Sequence, residues 1–321
     1  MALSSPPVAL VLRALGLGDF LTGVPALRAL RTALPGHHLV LAAPSVFQPL
    51  ARLAAVADHV HCAAGLADLN WTGLTPDIAV NLHGRGPQSS RLLQELTPHR
   101  LVAFGCDEAG VAGPGWRPDE HEVSRWCRLV GEALGVPADP ADLLIAAPET
   151  PPLLEDAVII HPGAAFESRR WPADRFSDVA VWASPTGLPV VITGSAAERN
   201  VAEQVAHGAG LPADHVLAGR TTLVELTALV ASARLVICGD TGVAHLATAV
   251  RAPSVVLFGP VSPQLWGPPD TGEHVALWHR SGAGDPWGHG VDPALLEISV
   301  EEVTDAAGRL LGRRTSQAGR R

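Results

Sequence analysis

The sequence predicts an α/β protein made of two doubly wound units, each built on a parallel sheet. Three observations predict it. Short apolar runs alternate with amphipathic runs from Val8 to Leu134. The chain then turns Pro- and Asp-rich between Gly135 and Glu155, with Pro137, Pro140, Pro148, Pro151 and Pro152. A second strand–turn–helix series runs from Ala157 to Phe258. Alternation of this kind favours parallel strands joined by helical crossovers, and the Pro-rich stretch is the natural linker. The expected domains are 1–150 and 151–308, followed by a basic tail, 309–321.

In the first half, Val8–Leu12 reads as a strand broken by Gly16-Leu-Gly18-Asp19. Val24–Leu34 reads as a helix, with Pro25 tolerated in its first turn and Leu27, Leu30 and Leu34 as its buried stripe. Pro35-Gly36 ends it before the strand His38–Ala42. The alternation continues with helix 49–57, short strand 59–62, strand 78–81, helix 88–96, strand 100–104 and helix 122–134. In the second half, the strand Ala157–Ile160 ends at His161-Pro-Gly163. A helix over 172–182, a strand over 189–193 meeting Gly194-Ser195, and helices over 197–207 and 222–231 follow. Leu235–Cys238 is a buried strand, Gly239–Gly242 a turn, and Thr241, His245 and Thr248 share one face of the next helix. Ser254–Phe258 is the strand after it.

Composition excludes several classes. The 321 residues are 47% hydrophobic with 32 Gly and 28 Pro, as in a turn-rich globular chain. The four cysteines, Cys62, Cys106, Cys127 and Cys238, show no close pairing, which fits free thiols in a reducing cytoplasm. The N-terminus lacks a signal-peptide pattern, and no apolar run is long enough to span a membrane. A net charge of −9 argues against a nucleic-acid partner. Residues 309–321 carry Arg309, Arg313, Arg314, Arg320 and Arg321 and no acid, as in a disordered tail or a weak contact with an anionic membrane.

A strand feeding a glycine-containing turn at a helix N-terminus presents backbone N–H groups and the positive end of a helix dipole, so Asp240-Thr241-Gly242 reads as a phosphate site or as an ordinary helix cap. Asp19, after the first strand, is a general base or a turn cap. Arg169-Arg170 suits a departing pyrophosphate or is an ordinary pair of surface arginines. Gly16-x-Gly18 is not followed by a glycine at the spacing of a dinucleotide fingerprint, and no acidic residue ends the second strand. The 14 histidines show no metal-binding spacing, so no metal is expected, and there is no G-x-S-x-G or P-loop.

Four stretches together resemble glycosyltransferase family 9, the ADP-heptose:lipopolysaccharide heptosyltransferases. They are Leu17-Gly-Asp19 with Pro25-Ala-Leu-Arg-Ala-Leu; His161-Pro-Gly163 with Arg169-Arg-Trp-Pro172; Gly219-Arg-Thr-Thr-Leu-Val-Glu-Leu226; and Asp240-Thr-Gly242-x-x-His245 with Pro253–Pro260 and Trp266-Gly-Pro268. The resemblance implies a GT-B fold of two Rossmann-like domains facing a central cleft, with acceptor on the first and nucleotide sugar on the second. It implies an inverting, metal-independent transfer with no cofactor, in which a sugar, heptose from ADP-heptose, passes to a hydroxyl of a glycan or glycolipid acceptor. Asp19 would be the base and Arg169 would face the donor phosphates, although many relatives carry lysine there. Gly194, Ser195, Glu225, Asp240, Thr241, Gly242 and His245 would line the donor site. Gly18, His83 and Arg85 would lie on the acceptor side. Ser281–Trp287 lacks the cysteine cluster many relatives carry, which leaves the acceptor open. The expected location is the cytoplasm, at the inner membrane surface. A GT-B nucleotide-sugar epimerase, or an idle nucleotide-sugar-binding protein, is the alternative.

Overall fold

The run Val8–Leu12 forms β1 of a computed structural model that describes residues 6–279 and 284–318, with side chains to 312. Ala9 to Leu12 are all fully buried, so this strand is covered on both faces, as parallel strands under helices are. The first compact unit, Met1–Ile145, continues with α1 (Leu17–Thr22), α2 (Val24–Ala33), β2 (His38–Ala43), α3 (Gln48–Ala54), β3 (His59–Cys62), β4 (Ile78–Asn81), α4 (Gln88–Glu95), β5 (Arg100–Val102) and α5 (Glu122–Leu134). Its strands are all parallel in the order β3-β2-β1-β4-β5, with Leu12 in register with Ala42 on one side and Asn81 on the other.

The second unit, Ala146–Arg321, holds β6 (Val158–His161), α6 (Ala173–Ala183), β7 (Val190–Ile192), α7 (Arg199–Gly208), α8 (Leu223–Ala231), β8 (Leu235–Gly239), α9 (Gly242–Ala249), β9 (Ser254–Leu257), α10 (Pro263–Trp266), β10 (His274–Leu277), α11 (Pro293–Glu297) and α12 (Val300–Ala318). Its parallel order is β10-β9-β8-β6-β7. Renumbered within the unit this is 2-1-3-4-5, whereas the first unit reads 3-2-1-4-5. Both orders are doubly wound, and each reverses at one pair of neighbours: β1 beside β4, and β6 beside β8.

Several expectations are corrected. β1 ends before Gly16-Leu-Gly-Asp19 as expected, but that stretch is more than a break: Gly16 is extended and the helix α1 begins at Leu17, with Asp19 in its first turn. α3 stops at Ala54, where Ala55 takes a left-handed conformation (φ 54°). Pro172 caps α6 from outside rather than lying in its first turn. The unit boundary falls at Ile145/Ala146, within the Pro-rich stretch and just before the expected 150/151. Most of the expected disordered tail is helix: α12 runs to Ala318. Val303, Ala306, Ala307 and Leu310 on that helix are buried in the second core, so its apolar face anchors it. Residues 1–5, 280–283 and 319–321, including part of Ser281–Trp287 and the last two arginines, lie outside the described residues.

The second core is built around Trp171. Its indole is 2% exposed, meets the Phe176 ring edge-on at 5.0 Å and donates its N–H to the Ile298 carbonyl at 3.2 Å. Tryptophan is placed well here because its polar edge has a partner while its area is buried. Trp171→Ala is expected to destabilise the protein by about 3–5 kcal/mol, measured by urea unfolding followed by circular dichroism. A loss below about 1 kcal/mol would contradict the placement of this side chain in the core.

Candidate functional site

In an open α/β sheet the carboxyl ends of the strands at the reversal point are where a ligand finds room. In the first unit, those ends carry the loop from Arg13 to Gly16 and the loop from Leu82 onward. Asp19 sits in the first turn of α1, half-buried. Burial pushes its carboxyl above the ordinary range; the Arg13 cation pulls it down, Glu122 raises it, and the Gly16 N–H favours the charge. Gly18 precedes it in the same turn, half-buried.

The loop after β4 is set by Asn81. Its buried amide donates to Ser89 Oγ (2.9 Å) and Ser90 Oγ (3.1 Å) on α4, and its Oδ1 accepts the His83 backbone N–H (3.0 Å). His83 follows with its Nδ1 buried and no hydrogen-bond partner among the described residues. Burial, assisted by the nearby Arg13 charge, lowers its pKa to about 4, so the ring is neutral at ordinary pH. Arg85 is exposed.

In the second unit, His161 ends β6 opposite Cys238 of β8. It is 5% exposed and its Nδ1 lies 3.0 Å from Thr193 Oγ1. Burial lowers its pKa while the Glu198 charge works the other way. The Glu198 carboxyl lies over Gly163 so closely that a Cβ there would stand 2.2 Å from it, which is why the turn after β6 takes glycine. Glu198 accepts the Ser195 N–H at 2.7 Å, and Ser195 Oγ caps the Glu198 N–H in return. Ser195 is thus engaged in a capping box beside Gly194, whose carbonyl accepts the Gly219 N–H. Glu225 is engaged in the same way at the start of α8, accepting the Thr222 N–H at 2.7 Å while Thr222 Oγ1 accepts its N–H at 3.2 Å.

Asp240 follows β8 directly, 6% exposed, with its N–H donated to the Leu257 carbonyl. Arg169 reaches it from the loop after β6, Nη1 to Oδ2 at 3.4 Å. The Arg169 Nε is buried with no acceptor among the described residues. Thr241 is the N-cap of α9 with extended backbone and no side-chain capping bond, and Gly242 is the first helical residue. First-turn N–H groups have no partner within their own helix, so this terminus offers donors and a positive dipole end next to Asp240. His245, one turn on, meets the Trp266 ring edge-on at 5.9 Å. Thr248, expected on the same polar face, is buried and donates to the Ala244 carbonyl. Among the described residues no cluster of three or more metal-ligating side chains occurs.

The second unit therefore brings Arg169 to Asp240 at the start of α9, and groups Gly194, Ser195 and His161 around Glu198. Asp19 and His83 share the first unit's reversal point. Three participants escaped the sequence reading. Arg13 interrupts an otherwise apolar run, which was its signal; Glu198 closes the S-x-x-E box Ser195-Ala-Ala-Glu198; Glu122, at the head of α5, gave no local sign.

Residues 116–283 match the sequence model of glycosyltransferase family 9 (heptosyltransferase), a little over half of the chain. The chain belongs to glycosyltransferase family 9. The lipooligosaccharide heptosyltransferase 2 of Haemophilus influenzae is 31% identical over 191 residues, which cover 55% of this chain and 54% of that protein. The chain spans about half the length of the curated relatives it matches. The family 9 glycosyltransferase of Veillonella parvula superposes with a TM-score of 0.78 at 22% identity over 98% of this chain and 99% of that one. The Escherichia coli ADP-heptose lps heptosyltransferase II does so at 0.76 and 19% identity, over 96% and 99%. The two-sheet α/β organisation is therefore the GT-B fold of these glycosyltransferases. In this family 9 chain the matched segment holds Arg169, Gly194, Ser195, Glu225 and Asp240 to His245, while Asp19 and the loop after β4 precede it.

The placement of His83 makes a direct expectation. Its ring should stay neutral as pH falls from 7 to 5 and titrate near pH 4, followed by the ring-proton shifts in NMR. A midpoint at or above the ordinary histidine value of about 6.5 would show the ring to be solvated instead.

Proposed function

We propose that this chain is an inverting, metal-independent glycosyltransferase that moves heptose from ADP-heptose to a hydroxyl of a glycan or glycolipid acceptor. The observation that carries the reading is Arg169. A guanidinium with a buried N–H lacking an acceptor among the described residues, held by a carboxylate beside a helix N-terminus, is arranged for an anion that completes its hydrogen bonds. The diphosphate of a nucleotide sugar is such an anion. Family membership supports the choice of a sugar nucleotide, and the printed names of the relatives support heptose, ADP-heptose and a lipopolysaccharide acceptor. The lipopolysaccharide and lipooligosaccharide acceptors in the relatives' names support a chain that works in the cytoplasm and meets its acceptor at the inner membrane surface; among the described residues no helix is long and apolar enough to cross a membrane.

The chemistry follows from charge placement. The acceptor hydroxyl gives its proton to the Asp19 carboxylate as its oxygen attacks the anomeric carbon. The bond from that carbon to the diphosphate oxygen breaks, and ADP leaves with the electron pair. Attack from the face opposite the leaving group inverts the centre. Arg169 and the N-terminal N–H groups of α9, at Thr241 and Gly242, stabilise the growing negative charge on the diphosphate, the work a metal does elsewhere. Asp240, released from Arg169 by the phosphates, accepts hydrogen bonds from the sugar hydroxyls. Gly194, Ser195, Glu225 and His245 border the nucleotide, with Ser195 and Glu225 contributing chiefly the shape of their capped turns. Gly18, His83 and Arg85 face the acceptor; a neutral His83 offers a hydrogen bond without a charge.

Asp19→Ala, assayed in EDTA-treated buffer with ADP-heptose, is expected to lose about 10²–10⁴ in kcat while binding ADP as the wild type does. Near-normal turnover in that variant removes Asp19 from the mechanism, and wild-type turnover that requires an added divalent ion removes metal independence.

A further inference from the structure

Below the Asp19 turn lies a buried cation that the mechanism has not used. Arg13 follows β1 directly and is 0% exposed, an unusual place for a guanidinium. Its donors are distributed over three segments that are distant in sequence. Nε donates to the Asp19 carbonyl and Nη1 to the Leu82 carbonyl. Nη2 reaches Thr22 Oγ1 at 3.0 Å and Glu122 Oε1 at 3.5 Å. The Trp126 ring lies 4.9 Å from the guanidinium carbon. Gly23 completes the slot: a Cβ at that position would stand 2.7 Å from Arg13 Nε. Glu122, 5% exposed, is itself held by the Trp126 indole N–H at 2.6 Å and by Arg125.

A buried ion pair is a poor way to stabilise a core, since removing two charges from water costs several kcal/mol and packed apolar side chains do as well. What this one does that leucine does not is tie the turn bearing Asp19 to the loop bearing His83, with a planar fork of fixed geometry. We propose that Arg13 is the positioning residue for Asp19, fastening α1 to the loop after β4, and that Glu122 anchors Arg13 from α5. The proposal rests on the reading of Asp19 as the base.

The charges facing this turn are few. Arg13 just past β1 and Glu122 from α5 act on Asp19, Arg125 acts on Arg13, and His83 faces Arg13 as a neutral ring above pH about 5. Burial favours the protonated Asp19 carboxyl; Arg13 opposes this and Glu122 adds to it. The signs then follow. Loss of the cation raises the carboxyl pKa, so the acidic limb of the rate profile moves to higher pH. Loss of the Glu122 charge lowers it, so the limb moves to lower pH.

The test compares Arg13→Met, Arg13→Lys, Glu122→Gln and Asp19→Ala in the full chain, reading kcat against pH at saturating ADP-heptose, together with the donor KM. Arg13→Met is expected to lose about 10²-fold in kcat with donor KM unchanged, as for a base misplaced by a fraction of an ångström to an ångström. Its acidic limb rises in pH, that of Glu122→Gln falls, and Arg13→Lys restores the limb but only part of kcat. Limbs at the wild-type position in both Arg13→Met and Glu122→Gln overturn the proposal, as does a raised donor KM with unchanged kcat. If Arg13→Met does not fold, the isosteric Glu122→Gln decides alone: a lowered limb supports the proposal and an unmoved one overturns it. Failure of the base reading has a different signature, full turnover with an intact limb in Asp19→Ala.

Discussion

In a parallel sheet every crossover returns the chain to the same end of the strands, and where the strand order reverses, the carboxyl ends of two neighbouring strands are left uncovered. Each unit of this protein has that reversal at one pair, β1 with β4 and β6 with β8. The charged and ionisable side chains of the candidate site gather there. Asp19 and His83 follow β1 and β4; His161 ends β6, and Arg169 and Asp240 follow β6 and β8. Past these strand ends the backbone turns toward a helix, at Leu17 for α1 and at Gly242 for α9, so the chain supplies helix-terminal N–H groups at no further cost.

The two reversal points treat charge differently. In the first unit the cation Arg13 is wholly buried and spends its hydrogen bonds on two backbone carbonyls, a hydroxyl and Glu122, which makes it a fixture. In the second unit the Arg169 side chain is 26% exposed and holds Asp240 through one contact of 3.4 Å, leaving a buried N–H without an acceptor among the described residues. A contact of that length is weak as a hydrogen bond and is readily exchanged for a phosphate oxygen. The fixed cation suits a base that must be held still, and the exchangeable one suits a site that binds and releases an anion.

Much of this was legible in the sequence, because buried parallel strands leave continuous apolar runs and helices leave period-3.6 stripes. Val8–Leu12, Ile78–Asn81, Leu235–Gly239 and Ser254–Leu257 show the first signature clearly. The misses have physical reasons. α1 is only six residues, too short for a stripe, and its start depends on Gly16 being extended. β10 (His274–Leu277) is an edge strand with partly exposed residues, so its pattern is faint. α12 looked like a basic tail because Arg309, Arg313 and Arg314 crowd the end of the chain, while three of the four residues that anchor it, Val303, Ala306 and Ala307, precede them in the sequence. At the site, Asp19, Arg169 and Asp240 were named from their place after strands. The Arg13–Glu122 pair was not, because its partners are brought together over a separation of 109 residues.

The account stands or falls on the proposed exchange of Arg169 from Asp240 to the donor phosphates. Calorimetric binding of ADP and of ADP-heptose to the wild type, Arg169→Met and Asp240→Asn measures it most directly. The account predicts that Arg169→Met weakens both ligands by roughly tenfold to a hundredfold, the loss expected for charge-assisted hydrogen bonds. Asp240→Asn should weaken ADP-heptose while leaving ADP unchanged or tighter, because its partner arginine is freed. Wild-type affinity for ADP in Arg169→Met, or equal weakening of both ligands in Asp240→Asn, would contradict it.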